Sequence, residues 1–278
     1  MKKRILTGLI GGALLFVVLL LLPPIFLTIA LSGVCGLAMY EVLIVSRFVG
    51  HRGLTVSAVV FSMLTPFFTL LPGTMPAIAV IFLYILFLSI VQIKYHETLT
   101  MERIGFVFFV SVVFPIAFSC LSYLRTFSLR GSDSDGLFYV FLGLIIPWMC
   151  DMGAYFVGTF FGRHKLCPKI SPKKTVEGAV GGIVVSILSA LLAAFLYQIL
   201  ALGDSASVCY WQIALLALVG APLSMVGDLM ASLIKRQCQV KDFGHIMPGH
   251  GGVMDRFDSL MLTAPLLFMI VHYWPLVY

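Results

Sequence analysis

Apolar residues in this chain come in blocks, not at the spacing of an amphipathic helix or strand. Nine blocks stand out, at 5–22, 25–45, 54–71, 76–93, 105–124, 137–161, 179–202, 212–235 and 259–276. Each approaches the roughly 20 residues that an α-helix needs to cross ~30 Å of hydrocarbon. The pattern predicts an all-α, polytopic helical membrane protein with about nine transmembrane helices. The first block follows Lys2, Lys3 and Arg4 and so imitates a secretory signal. Its 18 residues exceed the roughly 7–15 of a signal core, and no small-x-small cleavage site precedes Pro23-Pro24, so it reads as a retained span.

Composition agrees. Of 278 residues, 60% are hydrophobic and 11% charged, with a mean hydropathy of +1.07, which excludes an ordinary soluble domain. The six cysteines are scattered without a CxxC pair, so they suggest neither a disulfide framework nor a zinc site. The net charge of +6 bears on topology and anionic ligands; no soluble basic domain is present to bind nucleic acid. With the N-terminus in the cytoplasm and sides alternating, sixteen of the eighteen lysines and arginines fall in cytoplasmic segments, leaving Arg125 and Arg130 outside. That asymmetry is the positive-inside pattern. It predicts a cytoplasmic N-terminus and an outside C-terminus.

Polar residues are not spread evenly. Residues 1–124 form about five mostly apolar spans, whose one acid, Glu41, lies near a cytoplasmic end and is expected to snorkel to the interface. Pro66, Pro76 and Pro115 are expected to mark kinks or span ends. The 125–136 segment, with Asp133 and Asp135, reads as a solvated outside turn. Chemistry concentrates in residues 125–278, about four spans with cytoplasmic loops at 163–178 and 236–258. Asp151 stands within an apolar run and is followed by Gly153, Gly158 and Gly162, which allow close helix packing. Arg163, Lys165, Lys169, Lys173 and Lys174 follow in a short loop that is topogenic and attracted to acidic headgroups. At 100° per residue Ser224, Asp228, Ser232 and Lys235 fall on one helical stripe.

The densest stretch is 232–258. It carries Lys235, Arg236, Lys241, Asp242, Asp255, Arg256 and Asp258, with Pro248-Gly249-His250-Gly251-Gly252 in the middle. Charge of both signs beside membrane-length helices is costly and usually serves a site. Glycines let backbone approach a bound group; carboxylates suit hard divalent cations; basic residues suit phosphate oxygens. Cation, phosphate and membrane are the chemistry these residues suggest.

The run Ser-x-x-Lys-Arg, then Lys-Asp, then Pro-Gly-His-Gly-Gly-x-x-Asp-Arg-x-Asp resembles the signature of the phosphatidate cytidylyltransferases, or CDP-diglyceride synthetases, with Met247 where Ile, Leu or Phe is usual. Residues 171–178, Ser-Pro-Lys-Lys-Thr-Val-Glu-Gly, resemble a second block of that family, with Val176 where an aromatic is common, and Asp151-x-Gly-Ala-Tyr155 resembles a third. These matches cover 151–258; the first five spans share only apolar character. The resemblance implies transfer of a cytidylyl group from CTP to phosphatidate with release of pyrophosphate, dependence on Mg²⁺ with a second cation left open, and a site facing the cytoplasm from the inner membrane. On that reading Asp228, Asp255, Lys235, Arg236 and Ser232 are catalytic. Ser171, Lys173, Lys174, Lys241, His250, Gly251, Gly252 and Arg256 bind substrate. Asp228 and Asp255 are the principal metal ligands, with Asp258 and Asp151 supporting. The partners are CTP, phosphatidate and the bilayer, and a homodimer is admitted.

Two alternatives stay open. A related membrane nucleotidyl- or phosphotransferase would use another lipid phosphate. An ion-coupled transporter would also place carboxylates in the membrane, though no internal repeat is visible. Topology offers the first test. A reporter active only in the cytoplasm, fused after Tyr278, is expected to be silent; a bright signal would mean an even number of spans.

Overall fold

The computed structural model describes residues 2–46, 52–71, 73, 75–128, 133–203, 206–246 and 251–278, and the side chains of these apart from 2–10 and 133. Ten α-helices and one β-hairpin follow in chain order: α1 (Lys2–Leu20), α2 (Pro24–Ser46), α3 (Arg52–Leu64), α4 (Met75–Lys94), α5 (Met101–Thr126), α6 (Asp133–Phe161), β1 (Lys165–Cys167), β2 (Ser171–Thr175), α7 (Val176–Tyr197), α8 (Tyr210–Gln237), α9 (Met254–Phe257) and α10 (Leu260–Tyr273). Seven helices are long and apolar enough to cross a membrane among the described residues, and 11–20 and α10 are shorter apolar helices. The protein is thus all-α and polytopic, and every apolar block of the sequence coincides with a helix. These helices are apolar nearly all round, as segments surrounded by lipid and by each other must be.

The chain divides into two compact units. The first comprises residues up to Tyr123 together with Gln237–Arg256; the second comprises Leu124–Arg236 with Phe257–Tyr278. In the first, α2 packs on α3, where a Cβ at Gly36 would meet the Met63 side chain, and α2 buries Leu27, Leu31, Cys35, Ala38 and Met39. Apolar side chains gain little from one another in lipid, so hydroxyls add specificity. Thr28 and Ser122 share a hydrogen bond of 2.7 Å, Ser32 donates to the Met63 carbonyl at 2.7 Å, and Tyr84 meets Ser111 at 2.9 Å. Pro66 lacks the N–H that would continue α3, and the chain tightens there into a 3₁₀ turn, Thr65–Leu70. Pro76 sits in the first turn of α4, whereas Pro115 lies inside α5.

The second unit is built on close contact between α6 and α7. A Cβ at Gly181 would meet Val157, one at Gly153 would meet Val185, and one at Gly178 or Gly182 would press on the carbonyls of Ala154 or Cys150. Ser186 donates to the Ile146 carbonyl at 2.9 Å across the same interface. The Cys150 thiol and the Thr263 hydroxyl tie α6 and α10 to the Ala221 and Gly220 carbonyls of α8.

Two sequence expectations are corrected. Asp135 is not a solvated turn residue: it belongs to α6, is 1% exposed, and accepts hydrogen bonds from Tyr197 at 2.6 Å and Ser128 at 2.9 Å. Arg125, read as part of the same solvated turn, is buried in the last turn of α5. Here α5 and α6 run further than the hydropathy blocks 105–124 and 137–161, and at Asp135 the hydroxyls of Tyr197 and Ser128 satisfy a carboxylate that the sequence alone would leave to water.

The α6–α7 contact yields a test. In Gly182→Val the new Cβ would lie 2.6 Å from a backbone oxygen that cannot rotate away. Overpacking of this kind costs about 1–3 kcal/mol, so thermal melting of the purified protein is expected to fall by several degrees. Gly33→Val, where the new Cβ meets nothing within 4 Å, is the control and is expected to melt close to wild type.

Candidate functional site

The hairpin β1–β2 occupies the segment that the sequence presents as a basic loop. Ser171-Pro172-Lys173-Lys174 has little strand propensity, so the hairpin depends on its anchors. At its base the Glu177 carboxylate, in the first turn of α7, accepts the backbone N–H groups of Arg163 at 3.0 Å and His164 at 3.2 Å. The His164 ring nitrogen Nδ1 lies 2.6 Å from the other Glu177 oxygen. Val176 N–H donates to the His164 carbonyl at 2.9 Å, and Thr175 caps α7 by accepting from Gly178 N–H at 3.1 Å. At the tip, Arg236 Nε donates to the Ile170 carbonyl at 3.2 Å.

So held, the hairpin forms one wall of a cavity of about 520 Å³ whose lining includes Asp151, Tyr155, Lys165, Lys173, Lys174 and Asp228. Asp151 comes from α6, Asp228 from α8, and the lysines from the two strands. Lys174 Nζ makes an ion pair with Asp228, both side chains being largely shielded. Asp228 Oδ1 lies 3.4 Å from the Ser232 hydroxyl one turn further along α8. Two carboxylates and three ammonium groups around one opening meet the needs of a phosphorylated ligand. Mg²⁺ binding typically takes one or two carboxylates, with waters and substrate phosphates completing the shell. Asp151 and Asp228 provide that donor type. No cluster of three or more His, Cys, Asp or Glu occurs among the described residues.

Of the residues singled out from sequence, the second unit brings Asp151, Lys173, Lys174 and Asp228 to this cavity, with Ser232 beside Asp228. Ser171 pairs with Cys167 in the hairpin, next to the carbonyl that Arg236 holds. Lys235 Nζ is 3.8 Å from Asp258 Oδ2. Asp258 is buried, and its Oδ1 accepts from Ser259 N–H at 2.9 Å.

Asp255, Gly251, Gly252, Lys241 and Arg256 belong to the first unit. Asp255 Oδ2 accepts N–H groups from Phe243 at 2.9 Å and Gly252 at 3.0 Å. Gly251 takes φ +88°, the left-handed region in which a side chain is strained. Lys241 and Arg256 are exposed. His250, with the rest of 247–250, lies outside the described residues.

Sequence reasoning missed three contributors. Lys165 and Tyr155 line the cavity, the first because strand pairing brings β1 beside β2. Glu177 anchors the hairpin; its signal was the Thr175-x-Glu177 pattern of a helix start, with an acid in the first turn. Glu41 corrects an expectation. It does not snorkel: it is 4% exposed, and its Oε2 accepts Met254 N–H at 3.1 Å.

Residues 2–274 match the family described as the cytidylyltransferase family. The phosphatidate cytidylyltransferase of Bacillus subtilis (strain 168) is 34% identical over 277 residues, covering 98% of this chain and 97% of the relative. That of Staphylococcus aureus (strain COL) is 33% identical over 273 residues, covering 98% and 99%. The Staphylococcus haemolyticus (strain JCSC1435) protein aligns over 176 residues at 30% identity, 63% of this chain and 64% of its own. With a family match over almost its whole length and relatives at this identity along both chains, the chain belongs to the cytidylyltransferase family, as a nucleotidyltransferase of the phosphatidate cytidylyltransferase type.

Proposed function

We propose that the protein joins phosphatidate to the α-phosphorus of CTP, giving CDP-diacylglycerol and pyrophosphate, with Mg²⁺, at the cytoplasmic face of the membrane. A phosphatidate oxygen forms the new bond to the α-phosphorus, and the bond to the bridging oxygen of pyrophosphate breaks. The observation that carries the reading is the cavity that combines Asp151 and Asp228 with Lys165, Lys173 and Lys174, in a chain of this family.

The nucleophile is already anionic, so no strong general base is needed. The difficulty is to bring two polyanions together and to stabilise charge on the leaving group, which is work for positioning and electrostatics. Lys165, Lys173 and Lys174 neutralise phosphate oxygens. Asp228 holds Lys174 at the cavity, and Ser232 steadies Asp228. Arg236 braces the hairpin tip. Asp228 and Asp151, both at the cavity, would hold Mg²⁺, which when bound withdraws charge from the phosphoryl oxygens. Asp255 is assigned to cation binding by its place in the signature, and Asp258 to a supporting part. Lys235, paired with Asp258, orders the start of α10. The nine-span topology with a cytoplasmic N-terminus belongs to the same proposal; it puts the hairpin and the 236–258 segment on the side where CTP is found.

Three sets of variants test it by pyrophosphate release from CTP and phosphatidate against Mg²⁺ concentration. Asp228→Asn and Asp255→Asn keep volume and lose the charge that a hard cation requires. Both are expected to insert and purify, to lose nearly all turnover, and to need more Mg²⁺ for the remainder. Near-wild-type turnover with unshifted Mg²⁺ dependence would remove that residue from cation binding. Lys173→Ala and Lys174→Ala each delete a charge-assisted phosphate contact worth about 1.5–3 kcal/mol, so kcat/KM is expected to fall by about ten- to a hundredfold. Unchanged kinetics in both, and in the double variant, would reduce the hairpin to a topogenic role.

A further inference from the structure

Glu41 is the one acid of α2, a helix of membrane-spanning length, and it is separated by more than two hundred residues from the loop it touches. An acid in such a helix is costly to bury unless its oxygens are used. Its Oε2 accepts Met254 N–H at 3.1 Å. The loop comes in at close quarters: a Cβ at Gly252 would lie 2.5 Å from Oε2, and one at Gly244 would overlap Oε1. Gly244 and Gly252 are thus glycines because the carboxylate occupies the space of their side chains. The same loop gives its Phe243 and Gly252 N–H groups to Asp255 Oδ2. Two carboxylates therefore divide these amides: Glu41 takes that of Met254, and Asp255 takes those of Phe243 and Gly252.

We propose that Glu41 is a positioning residue: it fastens the backbone at Gly244 and at Gly252–Met254 to α2 and so sets the place of Asp255. This rests on the reading of Asp255 as a cation-binding residue. The contacts Glu41 makes are to backbone at Gly244, Gly252 and Met254. Its hydrogen bond to the loop runs through Oε2, whereas Oε1 is buried without a partner among the described residues. A glutamine therefore keeps the anchoring oxygen, and E41Q is the conservative variant. E41A removes the anchor, and G252A disturbs it while leaving Glu41 in place.

The test combines amide hydrogen exchange across 243–254 with the Mg²⁺ dependence of turnover, on the full chain in lipid nanodiscs. In E41A and G252A, exchange at the amides of positions 243, 252 and 254 is expected to quicken about tenfold or more as the loop opens locally. The half-saturating Mg²⁺ concentration is expected to rise about tenfold, the usual size of the loss when a group that orients a metal ligand is removed. E41Q is expected to keep most of the protection and most of the Mg²⁺ affinity, a rescue that mere loss of fold would not produce. Unchanged exchange in E41A and G252A overturns the anchor. Faster exchange with unshifted Mg²⁺ dependence overturns the positioning role. If E41A fails to fold, G252A carries the same expectations. If the wild type shows no Mg²⁺-dependent turnover with CTP and phosphatidate, the functional reading fails. Exchange at Phe243 and Gly252, whose amides Asp255 accepts, then still decides whether Glu41 sets the place of Asp255.

Discussion

Lys174 comes from a β-strand and Asp228 from a helix long enough to cross a membrane, and their side chains are only 22% and 23% exposed. Neither charge is at home there alone. A half-buried ammonium or carboxylate loses hydration that one partner restores, and removing either leaves the other uncompensated. The pair also joins two elements that nothing in local sequence would bring together, the hairpin and α8. Once joined, they leave Asp151, Lys165 and Lys173 facing a common opening. The pair thus sits in the wall of the cavity, between the hairpin and α8, where an anionic ligand would be received.

The contact needs α6 and α7 to lie close enough for the hairpin between them to fold back on its own helices. Glycine makes that possible. At Gly158 and Gly162 the space of a side chain is taken by Thr175, the residue that caps α7 and ends β2. At Gly181 and Gly182 it is taken by Val157 and the Cys150 carbonyl. Small residues thus bring helices together where hydrophobicity, in lipid, cannot. The same device recurs in the first unit, where Gly244 and Gly252 admit the Glu41 carboxylate.

Much of this was legible in the sequence. Blocks of apolar residues gave the helices, because a bilayer demands length and apolarity and little else. Gly153, Gly158 and Gly162 announced close packing, which is found; of the stripe Ser224, Asp228, Ser232 and Lys235, Asp228 and Ser232 meet, Lys235 reaches Asp258, and Ser224 is buried with its hydroxyl on the Ala221 carbonyl. What escaped were features made by tertiary contact. The hairpin forms from residues of poor strand propensity because Glu177 and Arg236 hold its ends. Glu41 is buried because a loop far along the chain supplies the Met254 amide. Asp135 is buried because Tyr197 and Ser128 supply hydroxyls. In each case the partner lies on another element or in another turn, and hydropathy carries no record of it.

The central claim is a transfer of the α-phosphoryl unit of CTP to a lipid phosphate, and the fate of isotope tests it most directly. Purified protein incubated with phosphatidate, Mg²⁺ and CTP labelled at the α-phosphorus is expected to move the label into a lipid-extractable product. With label at the γ-phosphorus, the label is expected in pyrophosphate and none in lipid. Label from the γ-position in lipid, or α-label remaining wholly in water-soluble nucleotide while CTP is consumed, would contradict the account.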